Sequence, residues 1–236
     1  MIDSRIAAMI NFVPPKSRVA DIGADHGYLS IELAKTQRTT RVIATDLNPA
    51  PLDTAKKNIA AANLEKIIET RLGDGLQVLK VGEVDTICIG GIGGALICKI
   101  LDDSPKIFQS VENLILQPMN AVEKLKDFLT EKKFFIADID LAESGGIIYE
   151  IIFAVKDKNK ISARKKFETS PLRREYFLRQ AKKIQRVLDE MSKSPVAKSS
   201  EKFLQLRLQA ESLKLKAAAD VEVETSALFA APVVET

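Results

Sequence analysis

The chain holds one histidine, His26, and two cysteines, Cys88 and Cys98, in 236 residues. A single histidine cannot complete a zinc site, and two cysteines ten residues apart have no metal-ligand spacing. No metal is therefore expected, and the cysteines read as buried, reduced thiols. Long apolar runs are missing too: none reaches the roughly 18 residues that a membrane span needs. The opening residues Met1-Ile2-Asp3-Ser4-Arg5 lack the basic and apolar regions of a signal peptide. The expectation is a cytoplasmic protein with no membrane partner.

An apolar content of 46% is enough for a sizeable core plus an appendage. The net charge of +3 is unevenly spread. Residues 1–155 carry 17 Lys+Arg against 21 Asp+Glu, whereas residues 156–236 carry 18 against 11. A basic C-terminal part points to an acidic partner, nucleic acid first, with a solvated helix face as the plainer alternative.

Short β-rich runs alternate with helical stretches through the first 155 residues. Strands are predicted at 18–23, 41–46, 67–72, 85–89 and 113–117, with helices at 2–12, 28–35, 51–62, 95–101 and 121–132. Such alternation implies βαβ units and a parallel sheet covered on both faces. Two further strands, 134–141 and 146–155, follow with no helix between them, and Ser144-Gly145-Gly146 reads as their hairpin turn. A Rossmann-like parallel sheet closed by a terminal antiparallel hairpin is the α/β order of the class I methyltransferase fold. A dinucleotide dehydrogenase more often adds a sixth parallel strand. Beyond Lys156 the reading is a linker and then two long helices, 171–191 and 196–219, broken at Ser192-Lys193-Ser194-Pro195. The expected division is a sheet domain (1–158), a basic α-helical hairpin (159–220) and an unstructured tail (221–236).

Chemistry-bearing residues lie at the ends of the predicted strands. Asp21-Ile22-Gly23-Ala24-Asp25-His26-Gly27 runs from the first strand into a helix, where backbone N–H groups are expected to be free for a polar ligand. Two acids in this turn suit a ligand with a cationic part. Asp46, with Leu47 beside it, ends the second strand, where an acid accepts hydrogen bonds from ribose hydroxyls. Gly73-Asp74-Gly75 follows the third strand, where a carboxylate in S-adenosylmethionine (SAM)-binding sheets reaches the adenine amino group. Gly90-Gly91-Ile92-Gly93-Gly94 follows the fourth strand and removes side chains where two flat groups must meet. Gln117-Pro118-Met119-Asn120 follows the fifth, offering amides to a base edge and a thioether to its face.

In order, DIGADHGYL, GDGL, GGIGGALI, LILQP and GGIIYEI resemble the motifs of the bacterial tRNA adenine-N1 methyltransferases that modify adenine 22, the TrmK family. The resemblance covers roughly residues 1–155. Gly90 and Ile92 stand where that family usually has Ala and Met, Met119 where many members have Asn, and Ala24 and Gly27 replace frequent Ser and Ala. The resemblance implies SAM as cofactor and tRNA as substrate. It implies that Asp21, Gly23, Asp46, Leu47, Asp74, Gly75 and Gly90 hold SAM. Asp25 and His26 are then catalytic. The target adenine meets Gly91, Gly93, Gly94, Gln117, Pro118 and Asn120, and Lys165, Arg173 and Arg174 grip phosphates. A monomer is expected. The rival readings are a SAM methyltransferase with another RNA or a small-molecule substrate, a noncatalytic SAM- and RNA-binding protein, and a nicotinamide-dependent oxidoreductase. The last lacks its Gly-x-Gly-x-x-Gly turn here.

Overall fold

The computed structural model describes residues 2–161 and 165–229, with side chains as far as Ala219. The chain forms two compact units that part between Phe167 and Glu168. The first begins with α1 (Ser4–Phe12), β1 (Ser17–Ile22), α2 (Tyr28–Lys35), β2 (Thr39–Asp46), α3 (Pro49–Ala61) and β3 (Ile68–Leu72). It continues with β4 (Thr86–Ile92), α4 (Gly94–Asp102), α5 (Pro105–Phe108), β5 (Asn113–Pro118), α6 (Val122–Glu131), β6 (Phe135–Ser144) and β7 (Ile147–Val155).

The seven strands make one sheet in the order β3-β2-β1-β4-β5-β7-β6. β1 to β5 are parallel, while β7 runs antiparallel to both β5 and β6. The expected Rossmann-like sheet with a terminal hairpin is therefore what forms. Alternate residues of each buried strand supply the two faces, as a pleat with period two requires. Val19 and Val42 pack under α1 to α3, while Ala20, Ile43, Ile87 and Leu114 pack under α4 to α6. The second layer includes stacked rings, Phe108 on Phe134 with centroids 4.9 Å apart. The chain goes outward from β1 to β3 and then returns to lay β4 on the other side of β1. That reversal opens a crevice at the carboxyl ends of β1 and β4, where ligands of open α/β sheets bind.

The second unit holds α8 (Arg173–Met191), α9 (Pro195–Lys198) and α10 (Glu201–Phe229), following α7 (Lys166–Thr169). Phe177, Ala181 and Leu188 of α8 are buried, as are Ala210 and Ala217 of α10. The four- and seven-residue spacings put each set on one helix face, and the alanines allow close approach.

Three expectations change. The boundary moves from 158 to 167, because Lys165 and Lys166 are tied to β6: the Lys165 amine donates to the Ala137 carbonyl, and the Lys166 N–H donates to the Asp138 carboxylate at 3.0 Å. The Ser/Pro break holds the one-turn helix α9, with the Ser194 hydroxyl accepting the Ala197 N–H. Residues 221–229, expected as tail, continue α10, since no Gly or Pro interrupts them; residues 230–236 lie outside the described residues.

Candidate cofactor and acceptor site

The β1–α2 turn is not a row of free N–H groups. Gly23 and Ala24 donate to the Thr45 carbonyl at 2.9 and 2.8 Å, Asp25 donates to the Asp46 carboxylate at 3.0 Å, and Gly27 donates to the Ala24 carbonyl. The end of β2 therefore holds this turn in place. Asp25 takes a left-handed conformation, φ 50°, unusual for a residue with a side chain. Its carboxylate is two-thirds exposed and lies 3.7 Å from His26 Nε2. The His26 carbonyl accepts from the Asn58 amide at 2.9 Å, so α3 tethers the same turn.

Asp21 points inward. It is 3% exposed and accepts the Ser30 hydroxyl at 2.6 Å. Burial pushes its carboxyl up to about 6, against the opposing hydrogen bonds from Ser30, and the nearby Asp46 charge adds to the rise. Asp46 is buried at the crevice, one oxygen accepting from Asp25 N–H and the other from Asn48 N–H at 2.8 Å. A carboxylate offers about four lone-pair sites, so capacity remains for two hydroxyls. Asp74 is exposed in the turn after β3, beside a half-buried Gly75.

Of the expected glycine loop, Gly90–Ile92 is strand. β4 carries a bulge between Gly90 and Ile92, centred on Gly91 at φ 78°, a conformation that suits glycine. The Gly91 N–H donates to Gln117 Oε1 at 2.9 Å. Gln117 is 2% exposed, and its amide nitrogen donates to the Pro118 carbonyl and to Met119 Sδ. Its carboxamide thus latches the bulge to β5, so Gln117 positions the bulge where a base reader was expected. Pro118 is buried at the end of β5; Met119 and Asn120 remain exposed. Within Gly90–Gly94, Gly94 makes the closest approach: a Cβ there would sit 2.7 Å from the Ala121 carbonyl oxygen. A Cβ on Gly93 would meet the Asn120 side chain at 2.9 Å.

Tyr28, Leu47, Leu72, Leu96 and Met119 are large apolar side chains left exposed at or just beyond the carboxyl ends of β1 to β5. Exposed apolar side chains at these strand ends, with the Asp46 carboxylate at the end of β2, are a combination suited to a nucleoside ligand. The sequence reading missed Arg5, Met9 and Tyr149. Met9 Sδ packs where a Gly90 Cβ would come within 3.0 Å, and the Arg5 guanidinium lies 5.3 Å from the Tyr149 ring centre. Their only signal was the tyrosine in the GGIIYEI motif.

Arg174, Lys182, Lys183 and Arg186 of α8 are exposed to differing degrees, while Arg173 lies over the Phe177 ring at 5.1 Å. Among the described residues, no helix is long and apolar enough to cross a membrane, and no group of three or more His, Cys, Asp or Glu is placed to hold a metal ion.

Residues 2–152 match the model of a methyltransferase domain family. A tRNA (adenine(22)-N(1))-methyltransferase of Bacillus subtilis is 33% identical over 153 residues, 65% of this chain and 64% of that protein. The chain thus spans slightly under two-thirds of that relative's length. A Streptococcus pneumoniae protein of known structure, assigned as a tRNA (m1A22) methyltransferase, is 31% identical. The match covers 92% of this chain and all of that one, with a TM-score of 0.79. The structure of that protein in complex with SAM superposes with a TM-score of 0.78. The switch-point crevice, the Asp46 carboxylate, the glycine bulge and these matches lead to one conclusion: the chain belongs to the bacterial tRNA (adenine-22-N1)-methyltransferase family, within the class I SAM-dependent methyltransferases.

Proposed function

We propose that this chain methylates N1 of an adenine in tRNA, adenine 22, as a cytoplasmic monomer. One observation carries the reading: Asp46, the acid we assign to the ribose hydroxyls, accepts the Asp25 backbone N–H at 3.0 Å, so the candidate cofactor acid and the candidate catalytic residue form one unit.

The residues fit SAM, which when bound supplies an electrophilic methyl group. Asp46 retains lone pairs for the ribose hydroxyls, and Leu47 covers apolar ligand surface. Asp74 and Gly75 serve the adenine. Asp21 lies beneath the turn as a buried negative charge that attracts a cationic amino-acid end across Gly23. Gly91, where a Cβ would meet no protein atom within 4 Å, leaves room for the acceptor base, while Gly90, Gly93 and Gly94 let Met9, Asn120 and Ala121 pack close around that space. That base must be splayed from the tRNA stack to bring N1 inside. N1 already carries a lone pair, so the protein's main work is in-line positioning. Methylation leaves the ring cationic until it loses a proton. The exposed Asp25 carboxylate stabilises that charge and accepts the proton, with His26 beside it to orient it. On the helical unit, Arg173, Arg174 and the lysines of α8 meet phosphates. Lys165 donates to the Ala137 carbonyl of β6.

The test is tritiated SAM with total tRNA, followed by mapping of the modified nucleotide. The expected result is 1-methyladenosine at position 22; labelled tRNA without it, or no label, overturns the assignment. Asp25→Ala should abolish transfer while SAM binding persists by calorimetry. Near-normal turnover in that variant removes Asp25 from the mechanism.

A further inference from the structure

Resting on the reading above, we infer that Arg5 and Met119 form the recognition wall for the acceptor adenine, with the Arg5 guanidinium donating to a ring nitrogen on the edge away from N1. A continuous set of contacts leads from the glycine bulge to this guanidinium. Gly91 N–H bonds Gln117 Oε1 at 2.9 Å, Gln117 Nε2 contacts Met119 Sδ at 3.7 Å, and Arg5 Nη1 contacts the same sulfur at 3.8 Å.

Arg5 is held on several sides. Its Nε and Nη2 donate to the two oxygens of Asp3, both at 3.0 Å, and it lies over the Tyr149 ring. Asp3 also caps α1 and accepts the Ser144 hydroxyl at 2.8 Å, while the Ser4 hydroxyl donates to the Glu143 carbonyl. The start of α1 is thus fastened to the end of β6. A guanidinium has five N–H donors. Three are engaged here, and the other two have no acceptor among the described residues. The side chain is 28% exposed, so those donors can reach a ligand.

Charge balance and the neighbouring surface select the ligand. Arg5 and Asp3 together carry no net charge, and Arg5 holds the Asp3 carboxyl down at about 2, so the pair stays ionised at neutral pH. A pinned, locally neutral guanidinium suits a neutral acceptor such as a purine nitrogen better than a phosphate. The exposed thioether of Met119 beside it offers a polarisable surface to an aromatic ring. The cofactor's own adenine is excluded by topology. Its candidate acid, Asp74, follows β3, and three strands, β2, β1 and β4, separate β3 from β5.

The experiment pairs protein and substrate changes. tRNA carrying adenosine, 3-deazaadenosine or 7-deazaadenosine at the target position is methylated by the wild-type chain, Arg5→Ala and Arg5→Lys. A hydrogen bond from a charged donor predicts a loss in kcat/KM of about ten- to a hundred-fold for one deaza substrate with the wild type. Arg5→Ala should lose a similar factor on adenosine and nothing further on that analogue. Its SAM affinity should be unchanged, and Arg5→Lys should recover part of the loss. The inference is overturned if neither analogue slows the wild type, if the full analogue penalty persists in Arg5→Ala, or if Arg5→Ala loses SAM binding. A lower salt slope for tRNA binding with no deaza effect would assign Arg5 to a phosphate instead. A wild-type chain that methylates no adenosine in tRNA defeats the underlying functional reading, a failure visible before any variant is made.

Discussion

Asp21→Asn isolates a cost built into the β1–α2 turn. The Asp21 carboxyl is buried under the β1–α2 turn and pushed from 3.8 to about 6, chiefly by burial. In the unfolded chain it ionises near its ordinary value, so between roughly pH 4 and 6 the folded chain binds the extra proton. Folding stability from this group is complete below about 3.8 and is lost as pH rises through about 6. A shift of about two units corresponds to about 3 kcal/mol. Asparagine has the same shape and still accepts the Ser30 hydroxyl, so the substitution removes the titration and keeps the contact. Other carboxylates act in the opposite sense. Glu83, held down at about 2 by its hydrogen bonds with Arg71, stabilises above its ordinary range and loses that stability in acid. Subtracting the two curves cancels such groups. Urea unfolding followed by circular dichroism from pH 4 to 7 should show Asp21→Asn gaining about 3 kcal/mol on the wild type across that window. Parallel curves, agreeing within about 1 kcal/mol throughout, would refute a buried, proton-accepting Asp21.

Three further perturbations address the Gly90–Gly94 segment and the basic helix. Gly94→Ala brings its Cβ against the Ala121 and Asn120 carbonyls at 2.7 and 2.8 Å, where backbone must move; thermal unfolding should show a loss of about 1–3 kcal/mol. Gly90→Ala meets chiefly the flexible Met9 side chain at 3.0 Å and should cost less, so equal losses would contradict the packing described. Replacing Arg174, Lys182 and Lys183 by Gln should lower the salt slope of tRNA binding by about 2–3 with SAM affinity unchanged, and an unaltered slope would remove α8 from the tRNA interface.

Much of the sheet was legible because most strands hold a short apolar run that ends in polar or glycine residues, β3 with its Glu69 and Arg71 being the exception. Helices separate β1 from β2, β2 from β3, β4 from β5 and β5 from β6, whereas β6 and β7 follow one another with only a turn between them, an order that fits a parallel sheet closed by a hairpin. Positions defined by distant partners were not legible. Asp21 and Asp25 are four residues apart in one motif, yet Asp21 turns in toward Ser30 and Asp25 stays exposed. Gln117 carries the amide of a base reader, and only the fold shows that Gly91 takes its oxygen. Arg5 meets Met119 across 114 residues, a separation that no local pattern encodes. The shifted unit boundary has the same origin, since the contacts of Lys165 and Lys166 with β6 are tertiary.

The most direct test of the central claim uses two tRNA transcripts that differ only at position 22, one with adenine and one with guanine. Each is incubated with the chain and SAM, digested to nucleosides and analysed by mass spectrometry. The account predicts one 1-methyladenosine per adenine-22 transcript and none in the guanine transcript. Equal methylation of both, or none of the first, would contradict it.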